Sequence, residues 1–201
     1  MLVSTICQIM SLSDEVVAWF FMAEGCATLG CTKRKESRGL MSILGYRLSP
    51  RVAIGNTDLA LLEPIKVWLR HKKIHFNFCG LKVKKATHHK MFYLKIDQVD
   101  AALNFLRTIF PYLLGKKRLV CELMLECLPK CRRENWSTLM REKVIRDKST
   151  GRILGLNWNA EQERKRFLDL MKYRDKITQL NGHRAKYNYS FFAKLWGVDN
   201  V

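Results

Sequence analysis

Acidic residues are scarce in this chain. Among 201 residues, 18 are Asp or Glu and 36 are Lys or Arg, a formal net charge of +18. Such an excess costs self-repulsion, and a polyanionic partner is its natural cause: nucleic acid first, a membrane surface second. The deficit is uneven. Residues 1–60 hold 6 basic and 5 acidic groups, whereas residues 61–201 hold 30 and 13. Long apolar runs are missing too. The longest, Val16–Ala23, falls far short of the roughly 18–20 residues of a membrane span. The opening MLVSTICQIMSLSDE has no basic leader region and no clear cleavage site, so no secretion signal is read. Cysteine lacks a pattern: seven residues, an odd number, without a CxxC pair and without a histidine at ligand spacing. Cys26, Cys79, Cys121 and Cys127 lie in apolar stretches, which fits thiols in a reducing compartment better than a disulfide framework or a zinc site. No internal repeat is present. The length and the 48% hydrophobic share allow one domain with a sizeable core.

What is present is a clear order of periodic segments. Ser13 or Asp14 caps a helix to about Ala23, with Gly25 as its stop. Residues 26–35 read as a strand that turns basic. Gly45–Ile54 alternates, with Leu48, Val52 and Ile54 on one face and Arg47, Ser49, Arg51 and Ala53 on the other. Pro50 interrupts it in a way tolerated at an edge or bulge. Asn56-Thr57-Asp58 caps a helix carrying Leu59, Leu62, Ile65 and Leu69. Ile74–Lys84 reads as a third strand with a bulge at Gly80, and His89–Ile96 as a fourth. A helix from Asp97 or Gln98 carries Val99, Leu103, Leu106 and Phe110. After the junction Pro111–Gly115, Lys116-Lys117-Arg118 opens another helix to about Cys131. Residues 132–158 are charged and weakly patterned, with a turn at Asp147–Gly151. Asn159 with Gln162 makes a capping-box start for a helix with Phe167, Leu170, Met171, Ile177 and Leu180. Tyr187–Leu195 forms either a short last helix or an aromatic strip on the body. His88-His89 read as loop residues.

Residues 17–25, VAWFFMAEG, form an apolar run ending in a lone carboxylate and a glycine. This nonamer resembles the signature of the LAGLIDADG homing endonucleases, with Ala23 as the small residue before the acid and Glu24-Gly25 as the acid–glycine pair. The resemblance extends to IGNTDLALLEPIKVWL (54–69), FPYLLGKKR (110–118) and RFLDLMKYRDKITQLN (166–181), the last similar to the C-terminal helix of the single-motif organelle branch. It implies an α+β fold of αββαββα order, a four-stranded antiparallel saddle with helices on one face, plus C-terminal helices. The expected layout is an endonuclease core over 13–131, a charged insertion over 132–158 and a helical extension over 159–201 that packs on the core.

The resemblance also implies an activity: a homodimer that hydrolyses both strands of double-stranded DNA at an intron insertion site, leaving 3′ overhangs. The target would be long and pseudo-palindromic. The cofactor would be Mg2+, with Mn2+ as substitute, held by Glu24 and the Ala23 carbonyl. Lys116 falls at the family's basic catalytic position. Ala18, Trp19, Met22 and Ala23 would face the partner copy. Two positions depart from the family pattern. Trp19 stands where a small residue lets two helices meet; its indole either widens that contact or turns into its own subunit's core. At the end of the second strand the family often has a polar residue for metal-bound water; Gly55 and Asn56 are there, and Asn56 alone has a usable side chain. On the strand phases above, the DNA-facing set is Thr28, Thr32, Arg34, Arg47, Ser49, Arg51, Asn77, Lys82, Lys84, Tyr93 and Lys95. Lys117 and Arg118 join it as phosphate contacts, and Arg132-Arg133 and Arg164–Arg166 read as phosphate clamps or as solvated helix faces. The family further implies an organelle-encoded gene, hence a chloroplast or mitochondrial location, otherwise cytoplasmic, and no secretion or membrane. The alternative is a non-cleaving maturase or nucleic-acid-binding relative on the same saddle, with intron RNA as a partner.

Overall fold

A computed structural model describes residues 12–33, 46–81, 90–131, 144–151, 153–156, 160–183 and 185–198. The chain opens with helix α1 (Asp14–Glu24). Ser13 caps it, its side chain accepting from the Val16 amide at 3.2 Å. Asp14 in the first turn accepts from Trp68 Nε1 at 3.0 Å and from Lys72 Nζ at 2.9 Å, which ties the start of α1 to a later helix. The helix stops at Gly25, as expected, but not through a left-handed turn: Gly25 is extended, at φ −88° and ψ 157°. It is glycine because the chain crosses over Phe21; a Cβ there would lie 2.1 Å from the Phe21 ring. Helix therefore passes straight into strand, and Glu24 is held at the seam.

Strands β1 (Gly25–Lys33), β2 (Tyr46–Asn56), β3 (Asn77–Gly80) and β4 (Phe92–Ile96) form one antiparallel sheet in the order β1-β2-β4-β3. Between β2 and β3 lies α2 (Leu59–His71), capped by Asp58; α3 (Val99–Ile109) follows β4. A short 3-10 turn, Phe110–Tyr112, leads to α4 (Gly115–Cys131). The third and fourth strands are shorter than their sequence pattern. Ile74 ends α2 instead, its amide donating to the Leu69 carbonyl at 2.9 Å. The helices cover one face of the sheet. Val17, Ala18 and Phe21 of α1, Leu62, Ile65, Trp68 and Leu69 of α2, and Phe105, Leu106 and Ile109 of α3 form one core with Leu29, Val52, Ile54, Leu94 and Ile96 of the sheet.

Beyond α4, strands β5 (Val144–Arg146) and β6 (Ile153–Leu156) pair as a two-stranded ribbon. The Asp147–Gly151 turn joins them, with the Gly151 amide on the Asp147 carbonyl at 3.0 Å. The pairing was missed in sequence because neither strand alternates. Helix α5 (Ala160–Leu180) and helix α6 (Tyr189–Leu195) complete the chain. Phe167, Leu168 and Met171 of α5 and Phe192 of α6 make a second cluster, packed on Tyr46, Tyr187 and Trp196. The last aromatic strip is thus both a helix and a packing surface.

Helix α5 also seals the free edge of β1, a place where unpaired backbone invites another strand. Arg174 Nε donates to the Leu29 carbonyl and Asn181 Nδ2 to the Ala27 carbonyl, each at 3.0 Å. Those carbonyls face outward, and ladder bonds alternate along an antiparallel pair. Pro50, opposite Leu29, therefore has its missing N–H on the other side, beyond the Val52–Ile96 pair where β4 stops. That is why a proline sits inside β2 without breaking it. Among the described residues no helix is long and apolar enough to cross a membrane.

Candidate active centre and nucleic-acid interface

Alternation along the strands sorts the residues of the sheet. Ala27, Leu29, Val52, Ile54, Leu94 and Ile96 are buried against the helices. Thr28 and Thr32, Arg47, Ser49 and Arg51, and Tyr93 and Lys95 occupy the opposite phase, with Asn77 paired to Lys95. The expected set thus shares one face, the one the helices leave uncovered. Ala53 shares it, as the alternation of β2 implied; Cys26 and Cys79 share it too and were not foreseen. Arg34, Lys82, Lys84, His88-His89, Arg132-Arg133 and Asn159 lie outside the described residues.

Glu24 stands at the top of this face. It is exposed and has no hydrogen bond or ion pair among the described residues. Gly25 pairs with Ile54, so Glu24 sits level with Gly55. Ala23 beside it is exposed and belongs to the last helical turn, where backbone carbonyls lack helical partners. A carboxylate and a peptide oxygen are hard donors that suit magnesium, and an unpaired carboxylate on an otherwise basic face is free for a cation. Among the described residues no three His, Cys, Asp or Glu side chains gather to hold a metal within one chain.

The basic residue that reaches this point is Lys117. Its ammonium donates to the Gly25 carbonyl and lies 5.6 Å from the Phe21 ring centre. It supplies the positive charge favoured at a helix C-terminus, which α1 lacks in its own last turn. Lys116 is exposed and makes no bond among the described residues. Both were expected near DNA; their division of labour was not visible, since adjacent residues on a helix point about 100° apart. Arg118 is exposed and also bonds within its own subunit. Its Nη1 donates to the Phe110 and Leu113 carbonyls at 3.4 Å, and its guanidinium lies 4.5 Å from the Phe110 ring centre. It holds the α3–α4 junction. Arg166 likewise clasps the end of α4, donating to the Lys130 carbonyl at 3.0 and 2.6 Å.

Asn56, expected at the active centre, is turned from the open face. It shares the phase of Val52 and Ile54, and its Oδ1 accepts the Asp58 amide at 2.8 Å to start α2. Gly55 takes the open phase, and Tyr93 of β4 lies on it: a Cβ at Gly55 would stand 2.6 Å from the Tyr93 ring.

The expected partner face of α1 also needs one correction. Ala18 is fully buried in its own core, one of the positions that face the sheet and α3. Trp19 does not turn inward; it is 56% exposed. With Val16, 43% exposed, and Ala23 it forms an apolar stripe at spacings of three and four, and Leu114, 70% exposed, flanks it. Met22 is half-buried, its sulfur accepting from the Leu114 amide at 3.3 Å.

Three solved structures with this chain path are homing endonucleases. The homing endonuclease I-CvuI, solved with a DNA target in the presence of magnesium, matches with a TM-score of 0.59 and 17% identity over 94% of this chain and 95% of its own. The archaeal intron-encoded homing endonuclease I-Vdi141I, complexed with DNA, gives 0.58 and 16% over 90% and 92%. The LAGLIDADG homing endonuclease I-GzeII, in complex with its DNA target, gives 0.50 and 17% over 89% of this chain and 52% of its own. The chain has the LAGLIDADG homing-endonuclease fold. No protein-family model and no curated protein matches the sequence. In the LAGLIDADG fold, then, α1 is the motif helix and the open sheet face is the saddle.

Proposed function

We propose that this chain is a site-specific, double-strand DNA endonuclease of the homing type, acting as a homodimer at an intron insertion site with Mg2+, or Mn2+ in its place, in an organelle. The observation that carries this reading is Glu24: a single carboxylate, without a partner among the described residues, held at the seam of a half-buried helix and a basic saddle. One carboxylate is half a site. The chain spans nearly all of I-CvuI and I-Vdi141I but about half of I-GzeII, which supports one saddle per chain and a second copy to complete the centre. The exposed stripe of Val16, Trp19 and Ala23 is the surface for that copy, and a two-fold protein reads a nearly palindromic target.

Glu24 and the Ala23 carbonyl would hold the metal. Bound there, the ion supplies charge neutralisation on the phosphate and an acidified water. Lys117 keeps the Glu24 turn in place. Lys116, free and adjacent, stabilises charge on the scissile phosphate. Arg47 and Arg51 address guanine edges, while Thr28, Thr32, Ser49 and Lys95 add hydrogen bonds and phosphate contacts.

The test uses duplexes selected from a random-sequence library by the full chain. The parent cuts both strands only with divalent metal. Glu24→Gln lowers the single-turnover rate at least about a hundredfold while retaining the duplex. Equal cutting by parent and variant would sink the assignment. Retention of the duplex with no cutting in any metal favours the non-cleaving maturase or binding alternative.

A further inference from the structure

Across the top of the saddle the strand order puts three positions in a row: Glu24 leading into β1, Gly55 on β2 and Tyr93 on β4. The outer two are separated by two strand spacings, about 9.6 Å. The middle one has no side chain. Tyr93 leans into that gap: the ring atoms Cε1 and Cδ1 lie 2.6 and 2.8 Å from where a Gly55 Cβ would be, and Cζ 3.4 Å. The Cδ1–Cε1 edge of the ring therefore covers Gly55. The ring is half-buried, with Lys95 Nζ 5.5 Å from its centre, and its hydroxyl has no partner among the described residues. A half-buried phenol normally finds a hydrogen-bond partner. This one lacks a protein partner and faces the side on which DNA is read. Asn56, the other polar group at this level, is turned away and committed to Asp58.

We propose that Tyr93 is a catalytic residue whose hydroxyl donates a hydrogen bond to a non-bridging oxygen of the scissile phosphate. The inference rests on the endonuclease reading above. In the step it serves, the oxygen of a water bonds to phosphorus and the bond from phosphorus to the leaving sugar oxygen breaks. The water releases a proton to solvent and the sugar oxygen gains one. Tyr93 keeps its proton; its donor strengthens as the phosphate oxygens gain charge. Glycine at 55 is then a requirement, because any larger residue would push the ring off the site.

Tyr93→Phe isolates the hydroxyl, since the ring over Gly55 remains. On the library-selected duplex it lowers the single-turnover cutting rate at least tenfold, a larger factor than it weakens the Kd measured without divalent metal. A second pair of variants guards against a misfolded result. Tyr93→Ala empties the space above Gly55, and Tyr93→Ala with Gly55→Gln returns a polar group to it from the neighbouring strand; the double variant cuts faster than Tyr93→Ala alone. Tyr93→Phe cutting at the parent rate overturns the inference and leaves Glu24 in place. Tyr93→Phe losing affinity and rate by the same factor reduces Tyr93 to a DNA contact. A parent that never cuts overturns the inference together with the reading beneath it.

Discussion

Helices α1 and α3 have equal length, 11 residues each, and touch through the edge-to-face pair Phe21–Phe105 at 5.5 Å. Their surfaces differ. Helix α3 buries Ala101, Ala102, Leu103, Phe105, Leu106 and Ile109 and shows Asp100, Asn104 and Arg107 to solvent. It is amphipathic, and one chain satisfies it. Helix α1 buries Val17, Ala18 and Phe21, then presents Val16, Trp19 and Ala23 on its other side. A helix apolar all round belongs inside something, and this subunit covers half of it. The difference teaches that one chain satisfies α3, whereas α1 keeps an apolar side that no described residue covers, with Glu24 at its end.

Substitutions on the two helices should therefore fail in different ways. Phe105→Ala on α3 removes a fully buried ring and costs about 3–5 kcal/mol, read as a lower urea midpoint of the subunit. A loss under about 1 kcal/mol would mean that α3 is not the satisfied helix described. Trp19→Arg on α1 spares the subunit core but weakens the dimer by about 2 kcal/mol, roughly 30-fold in Kd, read by sedimentation over a concentration series. If parent and variant are both monomeric on DNA, the contrast between the helices is broken. Lys117→Met at the end of α1 removes its charge cap and costs about 0.5–1 kcal/mol, while Lys116→Met leaves stability unchanged and impairs cutting; an equal loss of duplex affinity and cutting rate in Lys116→Met would remove its catalytic role.

The smallest effect lies in the ribbon. Hydrogen bonds from the Ser149 hydroxyl, then from the Thr150 and Ser149 amides, hold the Asp147 carboxyl down at about 2. The folded value lies below the ordinary one of about 3.9. The turn's support is thus fully present above about pH 4 and is lost as pH falls through about 2. Amide shifts of residues 148–150 should stay constant from pH 7 to about pH 4 and move together below about pH 3; a midpoint near 4 would show that those bonds do not form.

Much of the centre was legible from local pattern. Period-two alternation placed Thr28, Arg47, Ser49, Arg51, Tyr93 and Lys95 on one face, and each is there, because a strand's phase is a property of consecutive residues. The 3.6 period placed the stripe of α5. The failures share a cause. Asn56 was expected at the centre on its chemistry and proximity to the strand end, but one step in phase turned it away. Ala18 was expected on the partner face with Trp19, Met22 and Ala23, while its helical angle sends it inward. The ribbon strands, short and without alternation, left no periodic trace.

From its residues alone, this chain determined the order of its elements as far as α4, the basic excess, the face taken by the side chains of β1, β2 and β4, and the one acid that ends the first helix. These are set by spacing along the backbone. The tertiary structure decided which of two adjacent lysines reaches Gly25, that Trp19 stays outside, and that Tyr93 lies over Gly55. The first and last depend on where segments 92 and 38 residues apart come to rest against each other, and cross-strand register and helix docking are settled by core packing as a whole.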